Sequence, residues 1–320
     1  MEEYIVDPLS VDKQYIPLPV LAEEDFPQGC YRSGRQSRLV FLAGCDEVGR
    51  GALAGPVVAA TVMVYLNIVE RKKSATMEYF SKFLKFLKML HMEKVDDSKR
   101  LSSYSRKSIL KRLGIDPARV TKDSCYYLEC NLLSEKERAQ GGDVEDRVGV
   151  LFSVAEISSQ EIDRINIFNA ALKAMRRSFF NCYSIILRNV RRPADSQVVG
   201  NLLIDGIRPI GLGQESEDYY GNSEHARRVS SVNDLGSIVN EVPIVGGDRQ
   251  SKVIALASII AKEYRDLLME KLDAQYAEGG YGFKDHVGYP TKKHISALNA
   301  LGPSLIHRFT YAPVKKAIRH

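Results

Sequence analysis

Apolar residues recur along this chain at two spacings, one that suits strands and one that suits helices. Leu39 to Cys45 is a short apolar run ending in Asp46-Glu47, and Val57 to Met63 resumes a β-branched run after Gly49-Arg50-Gly51. Two strands joined by a glycine-rich connection is the economical reading. Between Lys72 and Met92, Phe80, Phe83, Leu84, Leu87 and Leu90 are interleaved with lysines, which predicts an amphipathic helix protruding as an insertion. Ser102–Leu113 is a second, shorter helix, and residues 116–148 are polar and irregular, with Gly141-Gly142 marking a loop. The clearest helix is Ser158 to Phe180, capped by Ser158 or Ser159, with Ile162, Ile165, Phe168, Leu172, Met175 and Phe179 as a core-facing stripe. Leu202 to Gly206 is a buried strand with an acid at its end, residues 211–236 are a polar insertion, and Pro243 to Gly246 is a further strand. Ser251 to Tyr276 is a long helix, apolar from Val253 to Ala261 and so buried on several sides, and Thr291 to Ala300 is a helix in the basic tail. This succession implies a mixed α/β domain with helices against a sheet. Three regions are expected: an N-terminal extension (1–37) lying on the surface or lacking order, a main α/β domain (38–283), and a basic C-terminal portion (284–320).

Composition refines this picture only modestly. The chain has 320 residues, 44% of them hydrophobic, and a formal charge of +5, which supplies a sizeable core and is compatible with a polyanionic partner. From Lys284 to His320 there are seven Lys or Arg against one acid, Asp285, joined by His286, His294 and His307. That tail suits phosphates, or is simply a solvated basic end. Five cysteines without a CxxC pair argue for a reducing compartment. With no apolar signal core and no uncharged stretch of membrane-spanning length, a soluble, cytoplasmic protein is expected.

The chemistry lies in acids that follow apolar elements. Asp46 and Glu47 end the first strand, Asp205 ends another, and Asp266 sits late in the long helix near Lys262. Carboxylates at strand mouths commonly share a cleft, and their mutual repulsion is offset by a divalent cation. An all-oxygen set favours Mg²⁺ or Mn²⁺ over zinc. Solvation or helix capping would also account for each acid taken singly. Because side chains alternate along a strand, the adjacent Asp46 and Glu47 reach one region only if the chain bends there. Gly49-Arg50-Gly51 offers backbone amides and a guanidinium beside the acids, or is a plain turn. Lys99, in Asp97-Ser98-Lys99, offers a cation before a helix. Lys252 opposes the dipole at the long helix's start, which points to a phosphate or carboxylate partner there or to a bland surface lysine. Tyr289 and His294 lie in an aromatic–basic segment where the tyrosine can stack on a sugar or base.

Together the segments AGCDEVGRGALAGPVVAATV, DDSKRLS, EIDRINIFNAALKAM, LLIDG, GGDRQSKVIALASIIAKEYRD, YGFKDHVGYPTKKH and GPSLIHRFTYAPV, between about residues 39 and 314, closely resemble the type 2 ribonucleases H, in particular bacterial ribonuclease HII. The resemblance implies a ribonuclease H-like mixed β-sheet flanked by helices, with a helical C-terminal portion. It implies two-metal hydrolysis, with Mg²⁺ or Mn²⁺ held by Asp46, Glu47, Asp205 and Asp266. Gly49, Arg50 and Gly51 would read the ribose 2′-hydroxyl and its phosphate, and Tyr289 the deoxyribose side of the junction. Lys99, Lys252 and His294 also fall on motif positions. The implied substrates are RNA–DNA hybrids or duplex DNA containing ribonucleotides, cut on the 5′ side of the ribonucleotide to leave a 3′-hydroxyl and a 5′-phosphate. A nuclease restricted to longer hybrids and a non-catalytic nucleic-acid-binding module are the alternatives. The chain departs from the family at Val48, where alanine is usual, and at Glu263 and Tyr264, where apolar or small residues are usual. Segments near 66–93, 116–149 and 207–243 are longer than in compact bacterial members and are expected insertions.

Overall fold

The strand carrying the first two acids, β1 (Ser37–Val48), is apolar from Leu39 to Cys45 because both of its faces are covered there. The computed structural model describes residues 10–16, 37–69, 81, 84–90, 93–128, 147–189, 197–212, 238–276 and 280–318. Within them β1 pairs antiparallel with β2 (Val57–Val69) and parallel with β5 (Gln197–Asp205). The sheet is completed by β3 (Cys125–Tyr127), β4 (Arg147–Ile157) and β6 (Ile238–Ile244), giving the order β3-β4-β2-β1-β5-β6. The half formed by β1, β5 and β6 is parallel.

Helices cover both faces. They are α1 (Ser10–Gln14), α2 (Ser103–Arg112), α3 (Ser159–Ile165), α4 (Ile167–Asn189), α5 (Gly247–Gln250), α6 (Lys252–Gln275), α7 (Phe283–His286), α8 (Lys292–Leu301) and α9 (Ala312–Ile318). Leu39, Phe41, Ala43 and Cys45 pack with Phe179 and Tyr183 of α4 on one face. Val40 and Leu42 pack with Val253, Ile254 and Ala257 of α6 on the other. Gly44 explains how closely α6 approaches: a Cβ there would lie 2.6 Å from the Ile254 backbone nitrogen.

Several expectations change. Helical residues 84–90 bury Phe86, Leu87 and Leu90 completely, so this stretch packs into the α6-side core and does not protrude; residues 70–80 lie outside the described ones. The predicted loop at 116–148 contains β3 and the start of β4; residues 129–146 are likewise outside. The helix expected from Ser158 to Phe180 is two helices, broken at Asn166, whose φ is +66°. With ψ 163° this is a strained backbone for a non-glycine residue, and its side-chain oxygen accepts the Asn169 N–H at 3.0 Å, capping α4. Part of the N-terminal extension is built into the fold, with Asp12 and Ile16 buried. The polar insertion at 213–237 is outside the described residues. The family departures find partners. Val48 packs against the core, Glu263 accepts from Arg106 Nε at 2.6 Å, and the Tyr264 hydroxyl donates to Glu156 at 2.5 Å. Among the described residues no helix is long and apolar enough to cross a membrane.

Candidate metal centre and substrate loop

The parallel half of the sheet brings its acids to one end. Cys45 and Ile204 are register partners on β1 and β5, so Asp46 and Asp205 are the next residues along neighbouring strands. β6 pairs parallel to β5, ends at Ile244, and leads through Gly246 into α5, which carries Asp248. Among the described residues, Asp46, Asp205 and Asp248 form the group able to hold a metal ion, with oxygens within 4.8 Å of one another. Asp205 accepts the Gly247 N–H at 2.7 Å, which holds the α5 turn against the end of β5.

Glu47 joins this field from the adjacent position. The β1–β2 ladder runs unbroken through Asp46, Glu47 and Val48, so the bend expected between the acids comes after them, at Gly49. One Glu47 oxygen accepts from Arg50 at 3.1 Å, and the other is buried without a hydrogen-bond partner. Burial, with repulsion from Glu47 and Asp205, pushes the Asp46 carboxyl well above the usual range, although Ser258 hydrogen-bonds to it. Burial pushes Glu47 up to about 7, opposed by Arg50 and reinforced by Asp205. Burial and Asp205 also raise Asp248, against the pull of Lys99 at 3.3 Å. A partnerless buried oxygen and three acids that repel in close quarters are what a divalent cation would satisfy, and an all-carboxylate set suits a hard ion.

Asp266, expected as the fourth ligand, lies outside this group. Its carboxylate pairs with Lys262 at 2.6 Å and lies 3.6 Å from Arg106. It sits two helical turns past Ser258, the α6 residue that meets Asp46, or about 12 Å along the axis. Asp248 stands in the group instead. The signal was present in the sequence, since Asp248 follows a predicted strand as Asp205 does.

The loop after β1 is held from beneath. Gly49 has φ +92°, and a Cβ on it would lie 2.3 Å from Arg265 Nε, so a side chain there is excluded twice over. Gly51 is exposed and faces Tyr289, whose ring lies over the Arg265 guanidinium with 5.5 Å from centroid to Cζ. Arg308 is fully buried and donates to the carbonyls of Gly49 (2.7 Å), Arg50 (2.9 Å) and Gly55 (3.0 and 3.1 Å). The Arg50 side chain remains half exposed beside Glu47. Lys99 is 73% exposed next to Asp248, while Asp97 accepts from Arg249 and Ser98 bonds to Ser258.

Two other expected substrate residues are internal. Lys252 Nζ donates to the Val95 carbonyl at 2.6 Å, and the carboxylate suspected at this helix start is Asp12, which accepts the Lys252 N–H at 2.6 Å. His294 is fully buried. Its Nδ1 faces the Tyr289 carbonyl at 3.0 Å and its Nε2 faces His307 Nε2 at 3.1 Å. His307 Nδ1 accepts the Ser304 N–H at 2.9 Å, so His307 Nε2–H donates to His294 and His294 Nδ1–H donates to Tyr289. His286 stacks on His294 with centroids 4.2 Å apart. These histidines support the Tyr289 turn from inside and do not line a phosphate track.

The acids and histidines respond oppositely to pH. Glu47, raised to about 7, and Asp12, raised to about 6, hold protons that the unfolded chain has released. The metal-free fold therefore loses stability as pH rises through these values. His294 and His307, lowered to about 4 mainly by burial, contribute the reverse: stability is lost as pH falls from about 6.5 toward 4. Metal competes with protons only at the acids, so the increase in melting temperature on adding Mn²⁺ should be larger at pH 8 than at pH 5.5. Differential scanning fluorimetry at the two pH values measures it, and an equal increase would contradict the raised acids.

A family model described as Ribonuclease HII matches residues 223–314. The ribonuclease HII of Mycolicibacterium gilvum is 31% identical over 288 residues, covering 90% of this chain and 76% of that protein. The ribonuclease HII of Chlamydia trachomatis serovar D is 32% identical over 278 residues, covering 87% and 85%. Among solved structures, the ribonuclease H2 of Pyrococcus horikoshii OT3 aligns with a TM-score of 0.44 at 19% identity, over 87% of this chain and 97% of that one.

Proposed function

Because the chain belongs to the ribonuclease HII family, we propose that it is a metal-dependent endoribonuclease acting on RNA–DNA hybrids and on ribonucleotides embedded in duplex DNA. The observation that carries this reading is the convergence of Asp46 and Asp205, at the ends of parallel strands, with Asp248 in the turn after the third, beside a loop whose backbone is fixed and whose arginine side chain is half exposed. Asp46, Glu47, Asp205 and Asp248 would hold the ions. Mg²⁺ or Mn²⁺, when bound as a pair, supplies Lewis acidity to activate water at the scissile phosphate and to stabilise the departing 3′-oxygen.

The chain's own residues bind and orient the substrate. The exposed Gly51 and the half-exposed Arg50 guanidinium reach a ribose and its phosphate, and donor–acceptor pairing with the 2′-hydroxyl separates RNA from DNA. Tyr289, next to Gly51, offers a stacking face for the following sugar, where deoxyribose fits best. Lys99 supports the reading because an exposed ammonium beside Asp248 can shift to a phosphate when that carboxylate is neutralised by metal. The cut falls on the 5′ side of the ribonucleotide and leaves a 3′-hydroxyl and a 5′-phosphate.

A duplex bearing one ribonucleotide, incubated with Mg²⁺ or Mn²⁺, should be cleaved at that position with those product ends, resolved by denaturing electrophoresis before and after phosphatase treatment. Cleavage confined to extended hybrids would restrict the substrate class. Salt-sensitive binding without cleavage under either metal would refute an enzymatic role.

A further inference from the structure

The N-terminal segment 10–16 touches β5, which carries Asp205, and the joint that follows α5, which carries Asp248. Asp12 is fully buried and accepts the Ser251 hydroxyl at 2.5 Å and the Lys252 N–H at 2.6 Å. Ser251 and Lys252 form the joint between α5, which carries Asp248, and α6. The helix dipole of α6 favours an anion there, so the contact is charge-assisted. Three residues on, the Tyr15 carbonyl accepts from Asn201 Nδ2 at 2.7 Å, on the strand that ends in Asp205. Ile16 seals the contact within the core between sheet and helix.

The α5 turn is therefore gripped from two sides. Asp205 holds Gly247 at its front, and Asp12 holds Ser251 at its back, with the Ser251 N–H closing the turn onto the Gly247 carbonyl at 2.8 Å. We propose that Asp12 is a positioning residue: through Ser251 and Lys252 it sets where Asp248 stands relative to Asp205, and so sets the affinity for divalent ions. The segment is a strap behind the α5–α6 joint and against β5, so a stretch of chain before the first strand helps to set the metal centre. This inference rests on the metal reading given above.

The test compares Asp12→Ala, Asp12→Asn and Asp205→Asn in the full chain. Direct Mn²⁺ binding is followed by electron paramagnetic resonance of the free ion, and cleavage is measured across a metal titration. Residues that orient metal ligands alter metal affinity by about ten- to a hundredfold. Asp12→Ala should therefore raise the half-saturating Mn²⁺ concentration about tenfold in both measurements, with turnover recovered at saturating metal. Asp12→Asn, which keeps the shape and one acceptor, should shift it in the same direction by less, and it decides the matter alone if the alanine variant does not fold. A lowered melting temperature with unchanged Mn²⁺ affinity would make Asp12 a purely structural residue and overturn the inference. If Asp205→Asn loses binding and cleavage while the Asp12 variants bind normally, only the strap fails. If Asp205→Asn still binds and cuts, the metal reading itself fails.

Discussion

Replacing Asp248 with Asn should reduce metal-dependent cleavage by at least about a hundredfold, because even residues one step removed from a metal cost ten- to a hundredfold when lost. The same change at Asp266 should leave most of the turnover. Asp248 shares a 4.8 Å neighbourhood with Asp46 and Asp205, whereas Asp266 is neutralised by Lys262 and Arg106. Losing these mostly buried ion pairs should cost about 1–3 kcal/mol of stability, between the exposed and the fully buried cases. Steady-state kinetics of both variants on a single-ribonucleotide duplex, with circular dichroism to verify folding, separates the two positions. Collapse of Asp266→Asn with an active Asp248→Asn would return the fourth ligand to the long helix.

Arg308→Lys should destabilise the fold by about 3 kcal/mol and erase discrimination between ribose and deoxyribose. The guanidinium is completely buried, its neighbours are carbonyls and the Tyr311 hydroxyl, and three of those carbonyls belong to Gly49, Arg50 and Gly55. An ammonium cannot reproduce the planar fork, so buried acceptors of the substrate loop are left unsatisfied. The loss should appear in chemical denaturation. Loosening of the loop should appear as a narrowed ratio of kcat/KM between a duplex with one ribonucleotide and the same duplex with none. Wild-type stability with an unchanged ratio would show that the loop holds its shape without this support.

The half of the sheet nearest the acids was legible because its strands are bounded by glycine and charge and its long helix is apolar at its start. β4 was not read, since Arg147–Ile157 sits between two strands and is buried on both faces, which leaves little of the alternation that marks a strand. The break at Asn166 was hidden because Ile162, Ile165, Phe168, Leu172, Met175 and Phe179 recur every three or four residues across it, although Phe168 is exposed in the fold. Asp46, Glu47 and Asp205 were found from one rule, that an acid after an apolar strand faces the cleft. Applied to Pro243–Gly246, the same rule leads to Asp248. Asp266 drew attention as an acid in a helix, but its helical neighbour Lys262 already accounts for it. The buried histidines could not be told from a phosphate-binding set, since a basic tail reads the same whether its side chains point outward or pack on Phe283.

The pairing of β1 with β5 constrains how this protein can vary. Neighbouring parallel strands lie about 4.8 Å apart, so the spacing of Asp46 and Asp205 is a property of the backbone more than of side-chain placement. Deleting a single residue inside either strand would turn its acid to the opposite face and exchange two sets of core residues at once. Lengthening a connection disturbs neither. Growth in such a chain is therefore tolerated best away from these two runs, and the insertions expected near 66–93, 116–149 and 207–243 lie outside the run of β1 that ends at Asp46 and the run of β5 that ends at Asp205.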